Sequence, residues 1–430
     1  MKPRDNAVKG GRDVTMDAEA LAARNYPELA RQLSRAQAER REDDEVFEVE
    51  NLLEDAVAAR ASDLHLDPRE IGWMLRMRID GAIVNVLPVD AGPGLRLINQ
   101  LKTMAGLDPV ATLRPEEGRF SYRLDEIDLD VRLTLVPCLN GEKLAIRVLR
   151  PMGTWHTLDD LGFPQTETDI LENWLDAPVG MLLVTGPTGV GKTTTLYTLL
   201  HHMRYSSRHI VTLEDPVEYD IDGINQIAVN NQVGLSFAEG TRSLLRLDPD
   251  CLMVGEIRDQ VSARAAGDVA ATGRTLMGSL HSRDAVAAIT VMRKFGLDDV
   301  EIASNQEIVV SQRLVRRLCP HCRESTPIGA VDRRYLERLD RAQPETVWHA
   351  PGCAACSGLG YLGRTAVFEA WSLGVEDHGL ILEGAPEQAL RKHLANRGHA
   401  SLLDNGLRMA AEGVTTLGEL RQAGLGMRGQ

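Results

Sequence analysis

Aromatic side chains are scarce in this sequence of 430 residues, where Phe, Trp and Tyr together make up 4%. That scarcity disfavours binding surfaces built from stacked rings, such as those that hold single-stranded nucleic acid. No apolar run approaches the roughly 18–20 residues of a membrane-spanning helix, so we expect the chain not to cross a bilayer. The first residues, MKPRDNAVKGGRD, lack the apolar segment of a secretory signal.

Basic residues are fewer than acidic ones: the sequence has 48 Lys and Arg and 62 Asp and Glu, which gives a net charge of -14 and a pI near 5.3. This balance argues against broad binding to a phosphate backbone, although it leaves room for a local basic groove. Six cysteines without an export signal indicate metal or reduced thiols rather than disulfides. Apolar and charged contents of 43% and 26% are ordinary, and the sequence predicts a soluble, cytosolic, multidomain protein.

The N-terminal part of the chain shows three patterns. Residues 1–45 are rich in charge with leucines at helical spacing, which fits a charged helical arm and a solvated tail equally well. Residues 46–150 predict a small α+β domain, in which a helix at Val49–Ala59 precedes strand-like segments and Asp80-Gly81 forms a hairpin turn. The strand-like segments are Asp63–Leu66, Gly72–Met77 and Leu129–Leu133. Residues 151–164 have no clear period and predict a linker.

Residues 165–318 alternate short apolar strands with longer helical stretches, which is typical of an α/β domain whose parallel sheet is covered on both faces. The predicted strands are Gly180–Thr185, His209–Leu213, Cys251–Val254 and Thr275–Ser279. Residues 319–365 form a cysteine-bearing insert, and residues 366–430 predict helices that complete the domain.

A glycine-rich segment from Gly186 to Thr193 matches the pattern G-x-x-x-x-G-K-[ST] between an apolar strand and a helix-forming run. Glycines let successive N–H groups point into one concavity, and the helix N-terminus favours a phosphate there. Lys192 would bridge the terminal phosphates and the Thr193 hydroxyl would ligate Mg²⁺. The alternative is a chance glycine turn before a helix. The predicted nucleotide-binding residues are Gly186, Pro187, Thr188, Gly189, Val190, Gly191, Lys192, Thr193 and Thr194.

Acidic residues follow two of the apolar strands, Glu214-Asp215 after one and Glu256 after another. A phosphate loop needs a carboxylate on a neighbouring strand to hold Mg²⁺ through water or to orient the attacking water. Each could instead be a helix-start carboxylate or a strand-terminal charge. His281 follows a third strand and could contact the terminal phosphate, or it could be a structural histidine.

Four cysteines form two C-x₂-C pairs, Cys319 with Cys322 and Cys353 with Cys356. Two such pairs can supply a closed tetrahedral S₄ site for Zn²⁺, which would be structural rather than catalytic. Buried or redox-active pairs are the alternative. The length between the pairs allows a helix, which we expect at Arg333–Ala342. The two other cysteines, Cys138 and Cys251, lie in apolar segments and are predicted to be core residues.

Several long segments together strongly resemble the secretion-superfamily ATPases, which power type II secretion, type IV pilus assembly and related DNA-uptake pseudopili. The segments are GPTGVGKTTT (186–195), VTLEDPVEY (211–219), LDPDCLMVGEIRD (247–259), AATGRTLMGSLHSRDA (270–285), QRLVRRLCPHC (312–322), SDLHLDP (62–68), RMRIDG (76–81) and DVRLTLVPCLNGEKLAIRVL (130–149). The four cysteines, followed by GLGYLGRTAVFE (358–369), favour the type II secretion and pilus-extension branch.

This resemblance implies a homo-hexamer of two-lobed subunits that bind ATP and Mg²⁺ in a RecA-like P-loop domain, with a preceding PAS-like α+β domain and a zinc insert. It also implies a cytoplasmic protein held at the inner membrane by a platform protein and a cytoplasmic adaptor. The acidic net charge and the few aromatics predict no direct nucleic-acid contact. Glu214 matches the family's Asp-box glutamate, which polarises the attacking water, and Glu256 matches the Walker B glutamate. His281 matches the His-box histidine. Arg132 and Arg147 match arginines that reach the phosphates.

Two departures from the family pattern limit these expectations. Arg274 stands where the His box usually begins with a histidine, and a full first N-terminal domain, which docks longer relatives to the membrane platform, is not expected here. A P-loop nucleic-acid translocase or DNA-uptake motor is the main alternative, although acidic net charge and few aromatics count against it. A catalytically dead scaffold is disfavoured, because Lys192, Thr193, Glu214 and Glu256 are all intact.

Overall fold

The computed structural model describes residues 49–149, 157–204 and 207–426. The chain forms two compact units, Met1–Gly153 and Thr154–Gln430. The arm predicted for residues 1–45 lies outside the described residues, as do residues 151–156 of the predicted linker. Within the described ranges, no helix has both the length and the apolar character required to cross a membrane.

The N-terminal unit is built around one six-stranded antiparallel sheet. Its elements are α1 (Val49–Ala58), β1 (Ala61–Pro68), β2 (Trp73–Ile79), β3 (Ala82–Val89), α2 (Ala91–Met104), β4 (Glu116–Leu124), β5 (Ile127–Cys138) and β6 (Gly141–Leu149). The strand order is β3-β2-β1-β6-β5-β4. Leu64 and Leu66 are buried whereas Asp63 and His65 are only half-buried, because successive side chains of a strand point to opposite faces. Both amphipathic helices pack against the sheet.

The elements predicted for this unit are present, with α1 ending one residue earlier than expected. The hairpin prediction is confirmed: Asp80 and Gly81 both have positive φ, 49° and 87°, and they join β2 to β3. The prediction that Cys138 is a core residue is wrong, because its side chain is exposed. It is the last residue of β5, where the strand gives way to the turn before Gly141, so the apolar run around it does not bury it.

The C-terminal unit carries a seven-stranded sheet. Its elements are α3 (Leu158–Leu161), α4 (Gln165–Asp176), β7 (Met181–Thr185), α5 (Lys192–Met203), β8 (Ile210–Glu214), β9 (Asn225–Ala228), α6 (Phe237–Leu244), β10 (Cys251–Val254), α7 (Gln260–Ala271), β11 (Thr275–Leu280), α8 (Ala285–Lys294), α9 (Asp299–Asn305), β12 (Gln306–Leu318), β13 (Glu324–Pro327), α10 (Ala330–Arg338), β14 (Thr346–His349), β15 (Tyr361–Ser372), α11 (Val375–Leu382), α12 (Glu387–Asn396), α13 (Leu402–Ala411) and α14 (Leu417–Gln422), with short 3-10 turns at Asn231–Val233, Leu245–Leu247 and Ala354–Cys356. The sheet order is β15-β12-β7-β11-β10-β8-β9.

Six neighbouring strands of this sheet, from β12 to β9, are parallel, and only β15 pairs antiparallel, with β12. Every residue of β7, β8, β10 and β11 is buried, which explains why these strands are short continuous apolar runs. Cys251 at the start of β10 is fully buried, so its prediction as a core residue is confirmed. The unit therefore has a mixed α/β architecture with helices packed on a largely parallel sheet.

Three further predictions are corrected in the C-terminal unit. Residues 366–372 were expected to be helical but belong to β15, whose pairing with β12 satisfies the backbone at that edge. The predicted linker contains α3, which begins after Thr157, a residue that forms a capping box with Asp160. The helix of the cysteine insert is Ala330–Arg338 and so begins and ends earlier than expected.

The carboxyl ends of the parallel strands meet at one edge of the sheet. At this edge the glycine-rich loop follows β7, Glu214 ends β8, Glu256 follows β10 and His281 follows β11. In open α/β sheets, ligands bind in the crevice outside this edge.

Candidate functional site

The loop between β7 and α5 has the backbone conformation that the glycine pattern predicts. Gly186 and Gly191 have φ of 148° and 89°, in the region that side chains with a Cβ rarely adopt. A Cβ on Gly186 would also lie 2.7 Å from the Gln312 carbonyl oxygen and 2.8 Å from a Val190 methyl. Helix α5 begins at Lys192, so its N-terminal N–H groups face the loop, as in anion sites at helix N-termini.

Lys192, the first residue of α5, reaches back into this loop with its side chain. Its Nζ donates to the carbonyl oxygens of Gly186 at 2.9 Å and Pro187 at 3.2 Å, and it lies 3.4 Å from His281 Nδ1. Burial lowers the pKa of Lys192, and the charge of Arg313 adds to this, although Glu256 opposes it. Thr193, in the first turn of α5, is exposed, so its hydroxyl is accessible to a ligand in the loop.

Glu256 is held by a cation on one side and an imidazole on the other. Its Oε1 lies 2.6 Å from His281 Nε2, and its Oε2 accepts from Arg258 Nε at 2.6 Å. Arg258 also reaches Asp215 Oδ2 at 3.4 Å. Burial raises the pKa of Glu256, but the hydrogen bonds and charges of Arg258 and His281 outweigh it and lower the pKa overall. The carboxylate is therefore the stable form of Glu256 at neutral pH.

His281 connects the phosphate loop to Glu256. Its Nδ1 lies 3.0 Å from the Gly186 carbonyl oxygen, on the opposite side of the ring from the nitrogen that faces Glu256. Lys192, His281 and Glu256 thus come from three separate segments of the chain and form one continuous line of contacts. This line brings together three of the residues that the sequence singled out.

Glu214 lies in different surroundings, because its side chain is buried and both oxygens are engaged. Oε1 accepts from Thr212 Oγ1 at 2.6 Å and from Gln226 Nε2 at 3.1 Å, and Oε2 accepts a short hydrogen bond from the Tyr197 hydroxyl. Burial and the neighbouring carboxylate raise the pKa of Tyr197, which keeps its proton available for this bond. The contacts described for Glu214 therefore join it to α5 and β9, and none of them is with Lys192, His281 or Glu256.

Arg132 and Arg147 belong to the N-terminal unit, where they are directly opposite each other on β5 and β6. Arg132 pairs with Asp130 at 3.3 Å, and Arg147 pairs with Asp63 at 3.2 Å. Like charges directly opposite each other in a sheet are unfavourable, so these carboxylates offset the repulsion. The two side chains lie on the less buried face of the sheet, and their action on a phosphate remains a prediction.

The four cysteines of the insert cluster with their sulfur atoms all within 4.8 Å of one another. The Sγ–Sγ distances are 3.8 Å for Cys319 with Cys353, 3.9 Å for Cys322 with Cys356, and 3.8 Å for Cys353 with Cys356. A tetrahedral zinc with Zn–S bonds of about 2.3 Å requires sulfur atoms about 3.8 Å apart, so the donor set fits that ion. The backbone N–H groups of Cys353 and Gly360 both donate to Cys356 Sγ, as outer-shell donors to metal-bound thiolates do.

Sequence reasoning assigned no role to several residues that the structure places around the site. Arg258 contacts Glu256 and also reaches Asp215, which the sequence had already singled out together with Glu214, and Gln312 contacts the loop. Polar residues inside or shortly after apolar strands were the available signal for Arg258 and Gln312. Arg274, by contrast, precedes β11 and binds Pro249 and Asp248, so it lies at the strand end opposite His281.

A glycine loop between a buried parallel strand and a helix N-terminus, with a lysine in the loop and acidic residues at neighbouring strand ends, defines a P-loop nucleotide-binding protein. Comparison with known proteins gives the family. The sequence model of the family described as Type II/IV secretion system protein matches residues 40–422. The chain therefore belongs to this family, and the resemblance stated from its motifs is confirmed.

Individual relatives agree with this assignment. The chain is 38% identical over 369 residues to the Type II secretion system ATPase E of Vibrio cholerae, a match covering 86% of this chain and 73% of that protein. It is 37% identical over 377 residues to the Type IV pilus assembly ATPase PilB of Thermus thermophilus, covering 86% and 42%. The X-ray structure of the Legionella pneumophila ATPase DotB shares the fold, with a TM-score of 0.66 at 17% identity, covering 89% of this chain and 97% of that one.

Proposed function

We propose that this chain is an ATP-hydrolysing motor of a type II secretion or type IV pilus system, in which hydrolysis drives pseudopilus or pilus assembly. Membership of the family and the names of the Vibrio cholerae and Thermus thermophilus relatives support this proposal. The motor would work as a homo-hexamer whose subunits carry a RecA-like ATPase domain and a preceding PAS-like domain. It would act in the cytoplasm, held at the inner membrane by a platform protein and an adaptor.

The line of contacts Lys192–His281–Glu256 carries the proposal. It links a phosphate cradle to a carboxylate with a lowered pKa, the two parts that cleavage of a terminal phosphate requires. Lys192 and the loop N–H groups would bind the phosphates of ATP, and Thr193 would hold Mg²⁺. Mg²⁺ supplies charge neutralisation between the phosphates when bound. Glu256 would orient the attacking water, with Arg258 and His281 fixing its two oxygens.

Glu214 and the two arginines of the N-terminal unit complete the proposed machinery. Glu214 would polarise the attacking water, which requires its carboxylate to exchange the Tyr197 hydrogen bond for one to water. Arg132 and Arg147 would neutralise charge on the terminal phosphate, because planar guanidinium groups match phosphate oxygens. Their placement on a separate unit would make hydrolysis depend on closure of the two units.

The cysteine cluster would hold one structural Zn²⁺ through Cys319, Cys322, Cys353 and Cys356. Cys319 directly follows β12, and a short turn separates Cys356 from the start of β15. The pairing of these two strands ends at Leu318 and Tyr361. The ion would therefore close the insert at the end of a strand pair in the main sheet. Four sulfur ligands leave no position for a substrate, so we assign the metal no chemical step.

Phosphate release by the purified 430-residue chain tests the proposal. We expect Mg²⁺-dependent turnover of ATP that stops when a chelator removes Mg²⁺, and a chain that neither binds nor hydrolyses ATP would refute the assignment. The same assay with duplex and single-stranded DNA at low and high salt tests the translocase alternative. We expect no stimulation by DNA, whereas a salt-sensitive increase would favour the alternative.

A further inference from the structure

Two neighbouring polar residues are buried in β12 beside the phosphate loop. Gln312 is 1% exposed and Arg313 is 6% exposed. Strand β12 lies between β7 and β15 in the sheet, and its residue Ser311 pairs with Thr185, the last residue before the loop. Buried polar side chains need hydrogen-bond partners, and the partners of these two include the phosphate loop, the helix that follows it and the loop that carries His281.

Gln312 uses both ends of its amide on the phosphate loop and the helix that follows it. Its Nε2 donates to the Val190 carbonyl oxygen at 2.8 Å, and its Oε1 accepts from Thr195 Oγ1 at 2.8 Å. In a planar trans peptide the C=O and the next N–H point in opposite directions. Because Gln312 holds the Val190 carbonyl toward β12, it turns the Gly191 N–H away from β12.

Arg313 holds the neighbouring loop that carries His281. Its Nη1 donates to the Gln312 carbonyl oxygen at 2.8 Å and its Nη2 to the Arg283 carbonyl oxygen at 2.5 Å. Arg283 is only two residues beyond His281. One guanidinium thus joins the strand that supports the phosphate loop to the loop that supplies the imidazole of the site.

We propose that Gln312 and Arg313 are positioning residues for nucleotide binding and hydrolysis. Gln312 orients the Gly191 amide toward the phosphates. Arg313 fixes the position of the His281 loop, and so of the His281 side chain relative to Lys192 and Glu256. The inference rests on the proposed ATPase function, since it concerns how the same site keeps its shape. It predicts that Gln312 acts mainly on nucleotide affinity and Arg313 mainly on turnover.

Strand β12 offers a matched control for Gln312. Gln306 is also 1% exposed and donates from its Nε2 to a backbone carbonyl of β7, that of Met181, at 2.9 Å. Met181 is at the opposite end of β7 from the phosphate loop. Gln312→Met and Gln306→Met therefore remove the same group from the same strand at the same burial, and both should lower the melting temperature.

Equilibrium binding of Mg·ADP to the full chain separates the two variants. We expect Gln312→Met to weaken affinity about tenfold, which corresponds to about 1.4 kcal/mol, and Gln306→Met to stay within about twofold of the parent protein. Unchanged affinity in Gln312→Met, or an equal loss in Gln306→Met, would overturn the assignment of Gln312. If Gln312→Met does not fold, Thr195→Val removes the Thr195 contact from the helix side and should weaken affinity in the same direction; unchanged affinity there would also overturn it.

Arg313→Lys tests the second residue while keeping the positive charge. A lysine cannot bridge two carbonyl oxygens with a rigid fork, so we expect kcat to fall at least tenfold with affinity for Mg·ADP within about threefold. An unchanged kcat would overturn the role of Arg313. Failure of the proposed function looks different, because then the parent protein itself binds no nucleotide.

Discussion

Replacing Glu256 by glutamine should change the rate of ATP hydrolysis far more than the folding stability of the protein. The substitution keeps the shape of the side chain and removes only its charge. In the structure that charge is shared between Arg258 Nε and His281 Nε2, each 2.6 Å from one carboxylate oxygen. A glutamine can still accept a hydrogen bond from Arg258, so we expect the strand end to keep its geometry.

The two effects of this substitution differ in size. Arg258 and His281 are 51% and 45% exposed, so solvent screens their pairs with Glu256, and we expect a loss of about 1 kcal/mol or less in stability. Because the pKa of Glu256 is lowered in the folded protein, this contribution is present at neutral pH and disappears as the pH falls through that pKa. A positioned group that activates water contributes about 10²–10⁴-fold to the rate, which corresponds to about 2.7–5.5 kcal/mol.

Three measurements on the full chain check this expectation: phosphate release at saturating Mg·ATP, equilibrium nucleotide binding, and thermal melting. Glu256→Gln should bind nucleotide within about threefold of the parent protein while its turnover falls at least a hundredfold. Glu239→Gln is the matched control, because Glu239 pairs with Arg242 on an exposed helix turn. Turnover of Glu256→Gln within about threefold of the parent rate would remove Glu256 from the mechanism.

Lys192→Ala removes a cation that contacts the loop carbonyls, so nucleotide affinity should fall at least tenfold in equilibrium binding; hydrolysis at the parent rate would exclude this loop as the site. Arg132→Ala and Arg147→Ala should each slow phosphate release at least tenfold without changing the melting temperature. Arg119→Ala is their control, because Arg119 on β4 is directly opposite Arg132 and so continues the same cross-strand row. Equal rates of phosphate release in all three variants would argue against a role for closure of the two units in hydrolysis. Metal analysis should detect about one zinc per chain, and Cys356→Ser should lose it together with thermal stability, whereas a metal-free protein of full stability would contradict a structural ion.

Local patterns were sufficient to predict the centre of the fold. Strands β7, β8, β10 and β11 are buried on both faces, so they appear in the sequence as short apolar runs, and the glycine loop and the acidic residues follow directly from them. The outer strands were harder to predict. Strand β15 includes glycine and arginine before its apolar part, and its strand character comes from pairing with β12.

The residues that support the site could not be predicted because each depends on a partner far away in the sequence. Gln312 and Thr195 are 117 residues apart, and Arg313 reaches a carbonyl 30 residues away. A polar residue in an apolar strand shows that a partner must exist, since a buried amide without one costs about 1–3 kcal/mol. It does not show which of the many loops at the sheet edge supplies that partner, because the neighbour of a strand is set by sheet order and not by chain order. Here β12 pairs with β7 although four strands and five α-helices of the chain lie between them, and that pairing places Gln312 beside the phosphate loop.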